Sequence, residues 1–164
     1  MAQRTHAQRD QEMEHPASPM AMLKADHQKV KALFDQYEAA GDRKSKAKQT
    51  IIEEVFAALE VHTQLEEEIF YPAVKAQGDK EGKKLIAESI EEHQVVKTLM
   101  EDMRDLDPGD EQYEAKFAVL MESVCHHIAE EEGEMFPMAE EELADEMETL
   151  LDEMVERKQV LQAS

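Results

Sequence analysis

The chain has 164 residues, with 39 acidic and 18 basic side chains, and its formal net charge at pH 7 is −21. Such a charge repels phosphate backbones and anionic membrane surfaces, so we expect no nucleic-acid or membrane partner, whereas cations are attractive ligands. The absence of tryptophan and the presence of only five glycines and five prolines favour an all-α protein.

The N-terminal segment, 1–17, is polar and without periodicity, and we expect it to be a flexible leader. His6 and His15 fall within it and are therefore poor candidates for a buried site. The first predicted helix runs from about 19 to 40, after Ser18 as its N-cap. Its inward stripe follows steps of three and four residues and consists of Met20, Leu23, His27, Val30, Phe34 and Tyr37.

Three more long helices follow in the sequence. The second ends near Pro72, a loop covers 76–82, the third stops before "DPGD", and the fourth runs to Pro137. Their inward positions are Ile51, Ile52, Val55, Leu59, His62, Leu65, Glu66 and Ile69; Leu85, Ile86, Ile90, His93, Val96, Met100 and Met103; and Phe117, Leu120, Val124, His127, Glu131 and Met135.

A fifth amphipathic segment lies within 138–164, with its apolar positions at Leu143, Met147, Leu150, Leu151, Met154 and Val155. Four long helices joined by short loops predict an antiparallel up-and-down four-helix bundle. We therefore expect this bundle over 18–137, with an additional C-terminal helix over 138–164.

The two halves of the predicted bundle repeat each other. The stretch "DHQKVKALFDQY" in the first helix aligns without gaps with "EHQVVKTLMEDM" in the third at an offset of 66 residues, and the second helix aligns with the fourth at 65. The coinciding residues are His27 with His93, Lys31 with Lys97, His62 with His127, Glu66 with Glu131, Glu67 with Glu132, and Pro72 with Pro137. The chain is thus two copies of one helical hairpin.

This duplication predicts a metal site. Residues four apart on a helix share a face, so His62 lies beside Glu66, and His127 beside Glu131. A lone histidine on an apolar stripe is more often a hydrogen-bonded core residue than a ligand. Four histidines with two buried carboxylates would instead destabilise an apolar core severely unless cations paired with them. The candidate ligands are His27, His62, Glu66, His93, His127 and Glu131.

The ligand types narrow the choice of metal. Imidazole and carboxylate without thiolate suit iron, manganese or zinc, whereas calcium and magnesium prefer oxygen alone. Six ligands are too many for one tetrahedral zinc. The twofold repeat indicates two metals, each with two histidines, bridged by Glu66 and Glu131, with coordination positions left open for a small molecule.

These residues resemble the hemerythrin-like, or HHE cation-binding, family over about 19–137. The resemblance is carried by His27, by "HTQLE" and "EEHQ", by "HIAEE", and by the endings "FYP" and "FP". It implies a four-helix bundle with a non-haem di-iron centre, oxo-, hydroxo- or water-bridged, that binds dioxygen, nitric oxide or peroxide, or that senses or stores iron. Manganese and zinc are secondary candidates.

The sequence departs from the oxygen-carrying members of that family. Those proteins have His-x3-His in the third helix, where this chain has His93 followed by Lys97, and a longer His-to-Asp spacing in the last helix. The departures favour a more open centre that reacts with peroxide. Lys31 and Lys97 lie one turn beyond the histidines, and we expect each to extend outward to a glutamate.

Two further assignments concern residues near the proposed ligands. His126 competes with His127, but His127 lies ten residues before Pro137, just as His62 lies ten before Pro72, so His127 is the preferred ligand. The methionines at 100, 103, 121 and 135 are expected to fill the core. The single Cys125 is expected to pack as a small apolar group and fits a reducing compartment.

Three functions remain open from the sequence. The first is a di-iron module that binds or senses a small ligand or iron; the second is a peroxidase- or catalase-like enzyme of stress defence; the third is a metal-stabilised acidic module for a basic protein partner. No apolar run reaches the length of a membrane span and no signal-peptide core is present, so we expect a soluble, cytoplasmic protein.

Overall fold

The computed structural model describes residues 16–41 and 46–164. Most of the predicted leader, including His6 and His15, lies outside the described residues. The described parts of the chain are helical and contain no strand. The α-helices are α1 (Pro19–Ala39), α2 (Lys46–Leu65), α3 (Tyr71–Gln77), α4 (Lys80–Arg104), α5 (Glu111–Glu130), α6 (Phe136–Glu142) and α7 (Met147–Gln162).

Two π-helical turns join these elements into longer rods. The turn Glu66–Phe70 continues α2 into α3, and Glu131–Met135 continues α5 into α6. Four rods thus form the bundle, and α7 is the additional C-terminal helix, which confirms the predicted fold class. Among the helices of the described ranges, none has both the length and the apolar character needed to cross a bilayer.

Contacts between neighbouring rods show that they are antiparallel. Asp26, early in α1, contacts His62 near the end of α2, whereas Tyr37, late in α1, lies under the Lys48 ammonium at the start of α2. The second hairpin repeats this order, because Glu92 in the middle of α4 contacts His127 late in α5, and Asp102 late in α4 contacts Lys116 early in α5. At one level along the bundle axis, residues early in one helix therefore lie beside residues late in the next.

The apolar interior is divided into two clusters. One contains Val30, Phe34, Val96 and Phe117, and the other contains Phe70 and Phe136 together with Leu150 and Met154 of α7. The six predicted ligands belong to neither cluster but are all buried. The helix α7 packs on the second cluster and lies along α1 and α2.

The predicted helix ends at the two prolines are wrong. The second rod continues through Pro72 to Gln77, and the fourth continues through Pro137 to Glu142. Proline lacks an N–H and clashes with the carbonyl four residues earlier in a regular α-helix, but a π-helical turn just before it widens the helix. The loop predicted over 76–82 shrinks accordingly to Gly78 and Asp79.

Two other expectations need correction. Ile90 was placed on the inward face of the third helix, but it is 41% exposed, and the neighbouring Ser89 is buried. Cys125 was expected to pack inside the protein and is exposed. Each residue lies at the edge of the buried stripe of its helix. There, a step of three residues from the previous buried position and a step of four predict different sides of the border between the buried and the exposed face.

Candidate metal centre

The predicted carboxylates lie at the start of the two π-helical turns. Glu66 opens the first turn and Glu131 opens the second. In each turn the helix accommodates one extra residue, so that the N–H of Tyr71 donates to the carbonyl of Glu66, and the N–H of Phe136 donates to that of Glu131. The extra residue brings an aromatic ring, Tyr71 or Phe136, into the buried layer beside the carboxylates. Such insertions in α-helices are frequent at functional sites.

The structure brings all six predicted residues together as two overlapping clusters. One consists of His27, His62, Glu66 and Glu131, and the other of His93, His127 and the same two glutamates. Within each cluster, the candidate ligand atoms lie within 4.8 Å of one another. The two carboxylates are therefore shared between two histidine pairs, which is the arrangement that the sequence repeat predicts.

Atom positions within the clusters fit ligands that face a common cation. In each pair the two Nε2 atoms lie 3.1 Å apart, between His27 and His62 and between His93 and His127. Glu131 directs Oε1 to His27 Nε2 at 3.1 Å and Oε2 to His127 Nε2 at 3.2 Å. One carboxylate thus spans both halves of the centre.

Glu66 spans the two halves through a single oxygen. Its Oε1 lies 2.7 Å from His62 Nε2 and 3.5 Å from His93 Nε2. These contacts lack hydrogen-bond geometry, and both Glu66 oxygens and Oε1 of Glu131 accept no hydrogen bond from any described residue. Buried carboxylate oxygens without donors are costly, and bound cations would satisfy them. The donor set and these oxygens therefore fit a metal site.

Four outer carboxylates hold the other nitrogen of each histidine. His62 Nδ1 donates to Asp26 at 3.0 Å and His127 Nδ1 to Glu92 at 3.2 Å. His93 Nδ1 donates to Glu67 and His27 Nδ1 to Glu132, both at 3.3 Å. Hydrogen bonds of this kind orient metal-binding imidazoles and make them better ligands.

These outer carboxylates were not predicted as part of the site, although the repeat contains the signal for them. Asp26 and Glu92 directly precede the aligned histidines of α1 and α4. Glu67 and Glu132 directly follow the shared glutamates. Each pair obeys the same offset as the ligands, so the search for coinciding acidic residues would have found all four.

An aromatic residue next to the centre breaks the twofold repeat. The hydroxyl of Tyr71 donates to Glu131 Oε2 at 2.6 Å and lies 3.2 Å from His93 Nε2. At the equivalent position of the second hairpin is Phe136, whose ring is stacked on that of His27 at 5.8 Å between centroids. Among the described residues, a tyrosine hydroxyl therefore contacts only the second histidine pair. Burial and the two shared carboxylates raise the pKa of Tyr71 well above its usual value.

The carboxylates also change the protonation of the imidazoles. Burial opposes the charged ring of His62, but the Glu66 carboxylate and the contact with Asp26 outweigh it and raise its pKa to about 10. Burial likewise opposes the charge of His127, and the contacts with Glu131 and Glu66 raise its pKa to about 11. At neutral pH, protonated imidazoles thus balance part of the carboxylate charge of the metal-free protein.

The lysines near the centre extend outward, as expected, but of the two only Lys97 has the expected glutamate partner among the described residues. Lys97 is paired with Glu67, with about a third of its side chain exposed, and Lys31 is exposed. His126 points to solvent with 66% of its side chain exposed and contacts Glu130 and Glu92, so it lies outside the buried centre. The methionines at 100, 103 and 135 are buried in the core, and Met121 is partly buried against it.

A small cavity adjoins all four candidate histidines. Its volume is about 20 Å³, and its apolar walls come from Val30, Leu59, Val96, Val124 and Ile128. One water needs roughly 10–15 Å³ by this kind of measure. The cavity therefore has room for a molecule of one or two heavy atoms, against the histidines.

Comparison with known proteins agrees with the family resemblance seen in the sequence. The family model described as hemerythrin HHE cation binding domain matches residues 18–139. A DNA nickase of Nostoc is 25% identical over 128 residues, covering 76% of this chain and 34% of the relative. An uncharacterised hemerythrin-like protein of Schizosaccharomyces pombe is 26% identical over 121 residues, covering 74% of this chain and 59% of that protein. This chain thus spans about a third and about three fifths of these two relatives.

A solved structure shares the fold. The crystal structure of a hemerythrin HHE cation binding domain-containing protein from Mycobacterium kansasii superposes with a TM-score of 0.76 at 23% identity. The superposition covers 90% of this chain and 88% of that one. Since it extends beyond the region matched by the family model, it includes part of the C-terminal segment.

Proposed function

The chain belongs to the hemerythrin HHE cation binding domain family, and from this premise we propose that it is a non-haem di-iron protein that binds a small ligand such as dioxygen, nitric oxide or peroxide. His27 and His62 would hold one iron, His93 and His127 the other, and Glu66 and Glu131 would bridge them. Two iron ions would supply redox chemistry toward such ligands.

The observation that carries this proposal is the sharing of two buried carboxylates by two histidine pairs. Two cations fit this arrangement better than one, because the two histidine pairs form separate clusters with the shared carboxylates. With two imidazoles and two shared carboxylates, each position has four candidate ligands. Iron in nitrogen and oxygen sites accepts further ligands, so coordination positions remain for an exogenous molecule.

The cavity supports the choice of ligand class. At about 20 Å³, it accommodates one or two heavy atoms and excludes organic substrates. Its apolar walls favour an uncharged small molecule over an ion. Dioxygen, nitric oxide and hydrogen peroxide all have two heavy atoms and no net charge, so they meet both conditions.

Peroxide turnover is a second candidate function, and Tyr71 favours it. Its hydroxyl lies within 3.4 Å of both histidines of the second pair and donates to Glu131. Tyr71 does not line the cavity, and its hydroxyl would instead donate a hydrogen bond to a ligand held at the second histidine pair.

The Nostoc relative, by its name, acts on DNA. This chain covers 34% of that protein, and its own net charge of −21 disfavours a phosphate backbone. We therefore propose no nucleic-acid partner for it. The cytoplasm remains the proposed location, since the lone thiol fits a reducing compartment.

Elemental analysis of protein purified without added metal tests the metal assignment. We expect two equivalents of iron per chain, and one equivalent of zinc would overturn the di-iron proposal. Absorption spectra with peroxide, nitric oxide or azide, recorded with and without air, then test ligand access. Spectra unchanged by all of them would show that the centre is closed to small molecules and serves the structure alone.

Steady peroxide consumption separates the enzyme from the binding module. His62→Ala should abolish the consumption if it arises at this centre. Tyr71→Phe should lower its rate and leave the iron content at two equivalents. Consumption that survives His62→Ala would assign the activity to another part of the sample.

A further inference from the structure

The C-terminal helix α7 reaches the candidate metal centre through one side chain. Lys158 lies beyond the region matched by the family model, which ends at residue 139. Its Nζ donates to Asp26 Oδ1 at 2.6 Å, and the other oxygen of Asp26 accepts from His62 Nδ1 at 3.0 Å. A lysine, a carboxylate and an imidazole thus form an unbroken line into the first histidine pair.

Glu92, which aligns with Asp26, lacks such support in the second hairpin. The second pair is instead reached from Lys97 through Glu67 to His93, a line that does not involve α7. Glu92 takes the place of Asp26 and accepts from His127 Nδ1 at 3.2 Å. In the described parts of the chain, no lysine or arginine lies within ion-pair distance of Glu92, and its second oxygen faces His126 at 3.7 Å. Of the two aligned carboxylates in the described residues, Asp26 is therefore held by a separate helix, α7, and Glu92 is not.

We propose that Lys158 is a positioning residue for the His27–His62 half of the centre, so that the C-terminal helix controls how firmly a cation is held at that position. This inference rests on the proposed two-metal function. Lys158 holds one oxygen of Asp26, and this leaves the other directed at His62. Because His62 can then turn only slightly, its Nε2 stays aimed at the first position.

An open groove beside Asp26 explains why the Lys158 ammonium is needed to hold the carboxylate in place. The groove is lined by Asp26 and Lys158 together with residues of α2 and the end of α7, and its volume is about 610 Å³. Without the ammonium, the Asp26 carboxylate could rotate into this groove and be hydrated there. The imidazole of His62 would then lose the partner that fixes its orientation.

The neighbouring arginine provides a matched control. Arg157 holds α7 to the bundle by donating twice to Glu68, at 2.7 and 3.2 Å. Glu68 is exposed and contacts none of the six candidate ligands. Arg157→Met therefore removes a tie between the same helix and the bundle while leaving the Asp26 to His62 line intact.

Binding of Co²⁺ to the metal-free protein, followed by visible absorption, tests the proposal in two single-position backgrounds. His93→Ala keeps the first position, and there Lys158→Met should weaken Co²⁺ binding by about 10-fold or more. His27→Ala keeps the second position, and there Lys158→Met should have no effect. Lys158→Arg should restore binding at the first position, and Arg157→Met should leave both positions unchanged.

Equal weakening in both backgrounds, or by Lys158→Met and Arg157→Met alike, would overturn the proposal, because the helix would then act only through general stability. An unchanged affinity in the His93→Ala background would overturn it too. Failure of the two-metal function is seen separately, as fewer than two metal equivalents in the wild-type chain.

Nuclear magnetic resonance of the metal-free protein decides the inference even in that event. Lys158→Met should shift the ring nitrogen resonances of His62 and leave those of His127 in place. Equal shifts in both rings, or none in His62, would contradict the positioning role.

Discussion

The two halves of the centre have the same ligands but different surroundings. The first pair, His27 and His62, lies under the phenyl ring of Phe136, and its outer carboxylate Asp26 is tied to α7. The second pair, His93 and His127, lies beside the hydroxyl of Tyr71. The duplicated hairpin has kept the groups that face the cations and changed those around them.

This difference indicates a division of roles between two otherwise equal positions. A hydroxyl can donate a hydrogen bond or a proton to a ligand, whereas a phenyl ring only excludes water. We therefore expect reactions with small ligands to centre on the second position. The first position, enclosed by Phe136 and supported from the C-terminal helix, is expected to hold its cation as a fixed partner.

The largest expected effect tests whether the two metal positions share both carboxylate ligands. Glu66→Gln and Glu131→Gln each remove the charge of a carboxylate shared by both positions, and each should lower the affinity for both metals by about 100-fold or more. Equilibrium dialysis against a competing chelator measures this loss. If either variant lost only one equivalent, the carboxylate concerned would serve a single position and the two halves would not share it.

The next effect concerns the protons that occupy the metal-free centre. The pKa values of His62 and His127 are raised to about 10 and about 11 from an ordinary value of about 6.5. A raised pKa in the folded state means that protonation stabilises the fold. This contribution is complete below about pH 6.5 and is lost as the pH rises through about 10 to 11.

Chemical denaturation of the metal-free protein across this range measures that loss. The unfolding free energy should fall between pH 7 and 11, and His62→Gln and His127→Gln should each flatten the curve. Metal uptake should also release protons, so the apparent affinity should fall as the pH is lowered. A metal-free protein whose stability does not change up to pH 11 would contradict the protonated centre.

Single substitutions of Tyr71 and Phe136, each by the other residue type, test the comparison further. Tyr71→Phe removes the donor to buried Glu131, and should destabilise the metal-free protein by about 2 kcal/mol, typical of a hydrogen bond to a charged group. Phe136→Tyr should have the opposite sign, because the repeat would place its hydroxyl beside Glu66, whose oxygens accept no hydrogen bond from any described residue. Thermal unfolding of both variants without metal provides the measurement.

A destabilising Phe136→Tyr would show that the first position cannot accept the hydroxyl that the second position already has. In that case the asymmetry would be imposed by space around the ring, which is stacked on His27, and not by the choice of residue alone. Phe70→Tyr is a suitable control, because Phe70 is equally buried in the same apolar cluster but makes no ring contact with any candidate histidine among the described residues.

The sequence predicted the bundle and the six clustered residues because duplication makes both periodic. Each histidine occupies the same step of the stripe in both hairpins, so one alignment places them all. The π-helical turns could not be predicted in this way. Proline normally ends or kinks an α-helix, so Pro72 and Pro137 predict helix ends. Only the three-dimensional packing of α3 and α6 shows that the rods continue past them.

Contacts between distant elements were also beyond the sequence. Lys158 and Asp26 are 132 residues apart, and the angle at which α7 crosses the bundle decides whether they meet. Cys125 and Ile90 lie at the borders of their stripes, where helical periodicity alone does not separate buried from exposed positions. The outer carboxylates, in contrast, were within reach, since they follow the same offsets as the ligands.

The smallest expected effect concerns the aligned lysines. Lys97 is paired with Glu67, which orients His93, whereas Lys31 is exposed and has no ion pair with Glu132 among the described residues. Lys97→Met should therefore destabilise the protein by less than about 1 kcal/mol, as for other partly exposed ion pairs, and Lys31→Met should change nothing measurable. Urea unfolding of the two variants compares them directly. An effect of Lys97→Met well above this value would mean that Glu67 needs its lysine as Asp26 needs Lys158, and that both halves of the centre are supported in the same way.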